Sequence, residues 1–81
     1  MNNNRKQEIL MKNEIQISTE YITLGQFLKL TDIISSGGMA KMFIEDNNIL
    51  VNDELEKRRG RKLYPQDHIM VPSYGTFIVK A

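Results

Sequence analysis

Residues 36–53 read SGGMAKMFIEDNNILVND, and this stretch decides the fold. Serine is a common helix N-cap, so Ser35 or Ser36 is predicted to begin a helix whose first turn contains two glycines. Apolar residues then recur at helical spacing and predict a buried stripe: Met39, Ala40, Phe43 and Ile44. Asn47 and Asn48 are expected to end the helix, because asparagine tolerates the left-handed conformation. A strand at residues 49–51 and a turn at residues 52–53 follow.

A second helix is predicted upstream of this stretch. Thr23 and Gln26 form a T-x-x-Q capping box, in which each side chain binds a backbone N–H group of the first turn. Apolar residues then predict a short helix over about Leu24 to Leu30. Before it, residues 14–18 alternate polar and apolar side chains, which is typical of a short strand.

Downstream, three more strands are predicted around Leu55, at residues 68–71 and at residues 76–79, separated by turns. The chain is therefore expected to adopt an α+β fold, with two short helices packed on a small antiparallel sheet of about four to five strands. Residues 1–13 are polar and are interpreted as a flexible tail. Residues 14–81 are expected to form a single domain.

The composition excludes several classes of function. The 81 residues suffice for one small domain. No cysteine is present, so disulfides and thiolate metal sites are excluded, and His68 alone cannot form a zinc site or a catalytic triad. No apolar stretch approaches the roughly 20 residues that span a membrane, and the N-terminus lacks a secretory signal. These features predict a cytoplasmic protein with no cofactor, no bound metal and no catalytic activity.

The net charge of only +1 conceals a local concentration of basic residues. Residues 56–62 read EKRRGRK, which places five of the eleven basic residues within six positions. Arginine makes bidentate contacts with phosphate, and Gly60 allows close approach of the backbone, so the run is a candidate phosphate-binding loop. A solvated loop that binds nothing is the alternative interpretation.

These elements, in this order, resemble the S4 RNA-binding domain. Leu24 and Leu28 match the leucines of its first motif. Residues 36–41 fall on the S-R-x-x-A-R motif, with Gly37 in place of the first arginine and Lys41 conserving the charge of the second, and residues 49–52 fall on V-x-V-N. Asp67 falls on the G-D-x-I motif. The whole chain is most similar to the small stand-alone S4 proteins of bacteria, of the YaaA type.

The resemblance implies the S4-like (alpha-L) fold and an RNA site at the start of the second helix and the adjacent hairpin. If the basic run folds back beside that helix, the two would form one basic surface. The residues expected to contact RNA are Ser36, Gly37, Gly38, Lys41, Lys57, Arg58, Arg59, Arg61 and Lys62. The expected partner is structured RNA, in particular rRNA or the ribosome, bound by a monomer that does not associate with membranes.

Two further expectations concern the partner. Few aromatic residues are available for base stacking, and Tyr64, beside the basic run, is assigned to packing in preference to stacking. Structured RNA is therefore favoured over single strands. A protein-interaction adaptor is the alternative function, acting through the strands or through Met42. Met39, Met42 and Met70 are interpreted as core residues, although Met42 is expected to be partly exposed.

Overall fold

The computed structural model describes residues 13–81. The helical elements are helix α1 (Leu24–Leu30), a 3-10 helix (Gly37–Met39) and helix α2 (Ala40–Asp46). The strands are β1 (Asn13–Gln16), β2 (Ile22–Thr23), β3 (Leu50–Val51), β4 (Glu54–Leu55), β5 (Lys62–Leu63), β6 (His68–Val71) and β7 (Gly75–Lys80). The tail predicted for residues 1–13 lies outside the described residues except for Asn13, which belongs to β1.

Five strands form one sheet in the order β1-β7-β6-β3-β4. The α+β class and the strand number are thereby confirmed, but the sheet is mixed and not purely antiparallel, because β1 runs parallel to β7. The alternation of side chains that predicts β1 carries no information about the direction of its distant partner. Strands β2 and β5 pair in a separate antiparallel sheet that the sequence did not predict. Each has only two residues, too few for a recognisable pattern.

Helix α1 confirms its predicted bounds and its capping box. The Thr23 side chain accepts a hydrogen bond from the Gln26 backbone N–H (3.2 Å), and the Gln26 side chain accepts one from the Thr23 N–H (2.8 Å). Leu24, Phe27 and Leu28 are fully buried. The capping box therefore fixes the point at which the chain enters the core.

The start of the second helical segment differs from the prediction. Gly37–Met39 form a 3-10 turn, and Ser36 makes no side-chain capping bond. Because a 3-10 helix has three residues per turn, the apolar side chains no longer share one face. Met39 is 47% exposed, so its assignment to the core is wrong, and Phe43 is half-buried. Ala40 and Ile44 remain the buried contacts of α2.

Asn47 ends α2 by a different mechanism from the one expected. Its backbone is extended (φ −130°), not left-handed, and its side-chain Nδ2 donates to the Phe43 carbonyl oxygen at 2.9 Å. The amide therefore satisfies one of the carbonyl groups that the helix end leaves without a partner.

The core lies between the helices and one face of the large sheet. Phe27 packs edge-to-face against Phe77, with ring centroids 5.2 Å apart. Ile69, Val71 and Val79 on β6 and β7 are completely buried in the same cluster. Of residues 13–81, no helix has the length and apolar character to cross a bilayer.

Asn52 and Asp67, which both fall on S4 motifs, connect the hairpin β3–β4 to the start of strand β6 by hydrogen bonds. Asn52 and Asp53 both have positive φ (51° and 71°), as a two-residue hairpin turn requires. Asn52 Oδ1 accepts from the His68 N–H at 3.0 Å, and Asn52 Nδ2 donates to Asp67 Oδ1 at 3.1 Å. Asp67 Oδ2 accepts in turn from the Tyr64 N–H at 2.8 Å. These bonds position the segment that leads out of the basic run.

Candidate nucleic-acid interface

The basic loop (residues 57–62) lies between β4 and β5 and is attached to the start of helix α1. The Arg59 carbonyl oxygen accepts from the Gly25 N–H at 2.9 Å, and the Arg61 carbonyl oxygen accepts from the Leu24 N–H at 2.9 Å. The first N–H groups of a helix have no partner within the helix, so the loop satisfies two of them. The backbone of the basic loop is therefore held by contacts that do not depend on its charged side chains.

Glu56 organises the side chains of this loop. It is only 6% exposed, and its carboxylate pairs with the Arg58 Nε (2.9 Å) and the Arg61 Nη1 (2.8 Å). It also accepts from the backbone N–H groups of Lys57 and Arg58. Hydrogen bonding to the Arg58 side chain is the largest cause that lowers the pKa of Glu56 from 4.5 to about 2, while burial opposes the shift. The carboxylate therefore remains ionised and fixes both guanidinium groups.

Lys57 points to the end of helix α2. Its ammonium donates to the carbonyl oxygens of Ile44 (3.0 Å), Glu45 (3.4 Å) and Asn47 (2.9 Å). These are carbonyls at the negative end of the helix dipole, where a cation is stabilising. This geometry gives Lys57 a structural role in addition to the RNA contact predicted for it.

Replacing Lys57 with methionine should lower the free energy of unfolding by about 1 kcal/mol, because three carbonyl oxygens lose a charged donor at the helix end. RNA affinity should fall by less than a factor of about three, since the ammonium binds carbonyl oxygens at the end of α2 and is not free to contact a phosphate. Urea denaturation and RNA titration of the same variant separate the two effects. A large loss of affinity without a loss of stability would contradict this role.

Arg59 differs from its neighbours in the basic loop. Its side chain is exposed and makes no hydrogen bond or ion pair within residues 13–81. Lys62 is also exposed, and its Nζ lies 4.8 Å from the centre of the Tyr21 ring, a cation–π contact. Within residues 13–81, these two cations make neither an ion pair with a carboxylate nor, unlike Lys57, a side-chain hydrogen bond.

A groove of about 290 Å³ brings the basic loop beside the start of the second helical segment. It is lined by Thr23, Gly25, Gln26, Lys29, Gly37, Ala40, Arg59 and Gly60. A Cβ atom at Gly25 would lie 3.5 Å from the Arg59 carbonyl oxygen and 3.6 Å from the Ala40 Cβ, so a small residue suits this close approach. A Cβ at Gly37 or Gly60 would meet no atom within 4 Å. The groove is therefore open at both glycines.

A second, adjacent cavity of about 500 Å³ shares Gly60 with the groove. Its lining residues are Arg58, Gly60, Arg61, Lys62, Tyr64 and Asp67. Tyr64 is 42% exposed, and its ring packs at 5.6 Å from the ring of Tyr21. Tyr64 thus makes the packing contact that the sequence favoured and also presents part of its ring to the cavity.

The predicted site residues are not all at one place. The groove contains Gly37 and Arg59, and the adjacent cavity contains Arg58, Arg61 and Lys62. Ser36 and Lys41 are exposed but line neither the groove nor the cavity. Gly38 lines a separate apolar depression on α2. The sequence missed the contributions of Tyr21, Gly25 and Lys29. Only the β2–β5 pairing and the backbone bonds to Arg59 and Arg61 bring these residues to the loop.

The chemistry of this surface suits an anionic ligand. Exposed guanidinium and ammonium groups lie beside open glycine backbone, and phosphate oxygens accept hydrogen bonds from such donors. Within residues 13–81, no group of three His, Cys, Asp or Glu side chains is arranged to hold a metal ion.

Comparison with known proteins assigns the chain to a family. The S4 domain model matches residues 15–80, which span β1 to β7 and include the basic loop. The chain belongs to the S4 domain family. The resemblance found in the motifs and the S4-like α+β fold are therefore confirmed.

One relative of this S4 protein is a protein of Bacillus subtilis (strain 168) named "Probable ribosome maturation protein RlbA". The two chains are 58% identical over 69 residues, a match that covers 85% of this chain and 97% of the relative. The relative is therefore a protein of similar extent, with little chain beyond the matched part.

Proposed function

We propose that this S4 protein binds structured RNA, in particular rRNA, without catalysing a reaction, and that it acts in the assembly of ribosomes. The observation that carries the proposal is the juxtaposition of Arg59 and Gly60 at an open groove, with Lys62 in the adjacent cavity. The name of the Bacillus subtilis relative supports a role in ribosome maturation.

The proposed mode of binding follows from the placement of charge. A-form RNA hides its base edges in a deep groove, so a protein recognises it mainly through backbone and shape. Arg59 and Lys62 would neutralise phosphates directly. Arg58 and Arg61 would contribute from fixed positions, because Glu56 orients both guanidinium groups. Gly37 and Gly60 would let the RNA backbone approach without meeting a side chain.

The dependence of affinity on salt tests this proposal. If four to five phosphates are neutralised, log K for a folded rRNA fragment should fall against log salt with a slope of about −3 to −4. A fluorescence titration between 50 and 300 mM KCl measures it. A single-stranded homopolymer of equal length serves as the control and should bind more weakly. Undetectable affinity would refute RNA binding, and affinity that does not change with salt would refute the neutralisation of phosphates by the basic loop.

A protein-interaction adaptor remains a second candidate function, favoured by an apolar surface on α2. Met42 is 68% exposed and lines a depression of about 310 Å³ together with Met39 and Phe43. If this surface binds a ribosomal protein or an assembly factor, co-sedimentation with ribosomes should survive high salt and RNase and should be lost in Met42→Asp.

A further inference from the structure

The cavity beside Tyr64 differs chemically from a simple phosphate site. One side carries the guanidinium groups of Arg58 and Arg61, which Glu56 holds in place. Asp67 and Tyr64, a carboxylate and an aromatic residue, also line it. A carboxylate repels phosphate but accepts hydrogen bonds from amino groups. The cavity therefore combines a part suited to a phosphate with a part suited to a base.

Hydrogen bonds fix the backbone of Tyr64, and its ring packs against a neighbouring ring. The Tyr64 N–H donates to Asp67 Oδ2 at 2.8 Å, and the Tyr64 carbonyl oxygen accepts from the Asp67 N–H at 2.9 Å. The centroid of the neighbouring Tyr21 ring lies 5.6 Å from that of Tyr64, and the Lys62 Nζ lies 4.8 Å from the Tyr21 centroid. A ring that already packs against another ring loses little conformational freedom when a ligand stacks on it.

The polar groups of Asp67 retain capacity for a ligand. Among residues 13–81, each of its carboxylate oxygens accepts one hydrogen bond, from Asn52 Nδ2 or from the Tyr64 N–H. A carboxylate oxygen has room for a second donor. The exocyclic amino group of a base is a donor of this kind.

From this arrangement we propose that the cavity beside Tyr64 binds one unpaired nucleotide of the RNA. Its base would stack on Tyr64 and donate to Asp67, and its phosphate would lie by Arg58 and Arg61. Bases inside a continuous duplex are stacked on their neighbours and cannot enter. The preferred ligand is therefore a helix interrupted by a bulge or ending in an unpaired nucleotide. The volume of about 500 Å³ lies within the range of small-ligand pockets.

This inference rests on the proposed RNA binding, and the experiment separates the two. Two RNA hairpins are prepared that differ only in one bulged nucleotide, which is 2-aminopurine. The wild-type protein should bind the bulged hairpin on the order of tenfold more tightly than the continuous one, and stacking should quench the 2-aminopurine emission. Tyr64→Leu should lose this preference and the quenching but should still bind the continuous hairpin.

Two variants control for the ring and for the fold. Tyr64→Phe keeps the stacking surface and should retain the preference. Tyr74→Leu removes a tyrosine that is 50% exposed on a different part of the surface and should behave as wild type. Equal affinity of the wild type for both hairpins, or a preference that persists in Tyr64→Leu, overturns the nucleotide site while leaving RNA binding intact. Absence of binding to either hairpin overturns both proposals.

Discussion

Glu56→Gln should lower the free energy of unfolding at pH 7 by about 2–3 kcal/mol, the largest stability effect expected from a single change in or next to the basic loop. The substitution removes the charge that pairs with Arg58 and Arg61. A pKa lowered from 4.5 to about 2 corresponds to about 3 kcal/mol of stabilisation at neutral pH. The Arg58 side chain is 73% exposed, so solvent screens part of this interaction.

The same carboxylate predicts how stability depends on pH. Because the pKa of Glu56 is lower in the folded state, its stabilisation is complete above about pH 4.5 and is lost as the pH falls towards 2. Urea denaturation at pH 7 and at pH 3 measures this loss. The difference in stability between wild type and Glu56→Gln should shrink as the pH decreases. A difference that stays constant over this range would contradict the assignment.

Glu54→Gln is the matched control for this experiment. Glu54 lies two residues earlier and is exposed, and it forms no ion pair within residues 13–81. The change removes the same charge from the same hairpin but leaves the Glu56 pairs intact. Its effect on stability should stay within about 0.5 kcal/mol.

Glu56 also shows where the sequence stops predicting the site. The basic run and its phosphate chemistry follow directly from the residues, and so does helix α1, whose capping box is a local signal. From the sequence alone, however, the side chain of an acidic residue next to a basic run is expected to be exposed to solvent. The burial of Glu56 is therefore not visible in the sequence. The backbone bonds from Gly25 and Leu24 to the loop join residues about 35 positions apart, so no local pattern encodes them.

The second helical segment shows a different limit. Serine followed by two glycines predicts a helix start, which occurs, but the 3-10 geometry of Gly37–Met39 depends on small energy differences between two helical forms. That geometry exposes Met39 and moves it from the core to the surface. The sequence predicts the element, and its packing partners determine which face is buried.

Arg59→Glu should reduce affinity for structured RNA by a factor on the order of ten to one hundred and reduce the salt slope by about 1. Arg58 or Arg61 would be a poorer choice, because removing either takes away one of the two guanidinium partners of the buried Glu56 carboxylate. Replacing either arginine would lower both the stability of the protein and its affinity for RNA, so the measured change could not be assigned to one cause. The Arg59 side chain makes no such pair, and only its backbone carbonyl anchors the loop to Gly25.

Lys80→Glu provides the matched comparison. It changes the net charge from +1 to −1, as Arg59→Glu does, but Lys80 lies at the end of β7, next to β1. If RNA responds only to the total charge, both variants should weaken binding equally. If the groove beside Gly37 and Gly60 is the binding site, Arg59→Glu should lose at least fivefold more affinity than Lys80→Glu at 100 mM salt. Equal losses would show that the basic loop does not position the RNA.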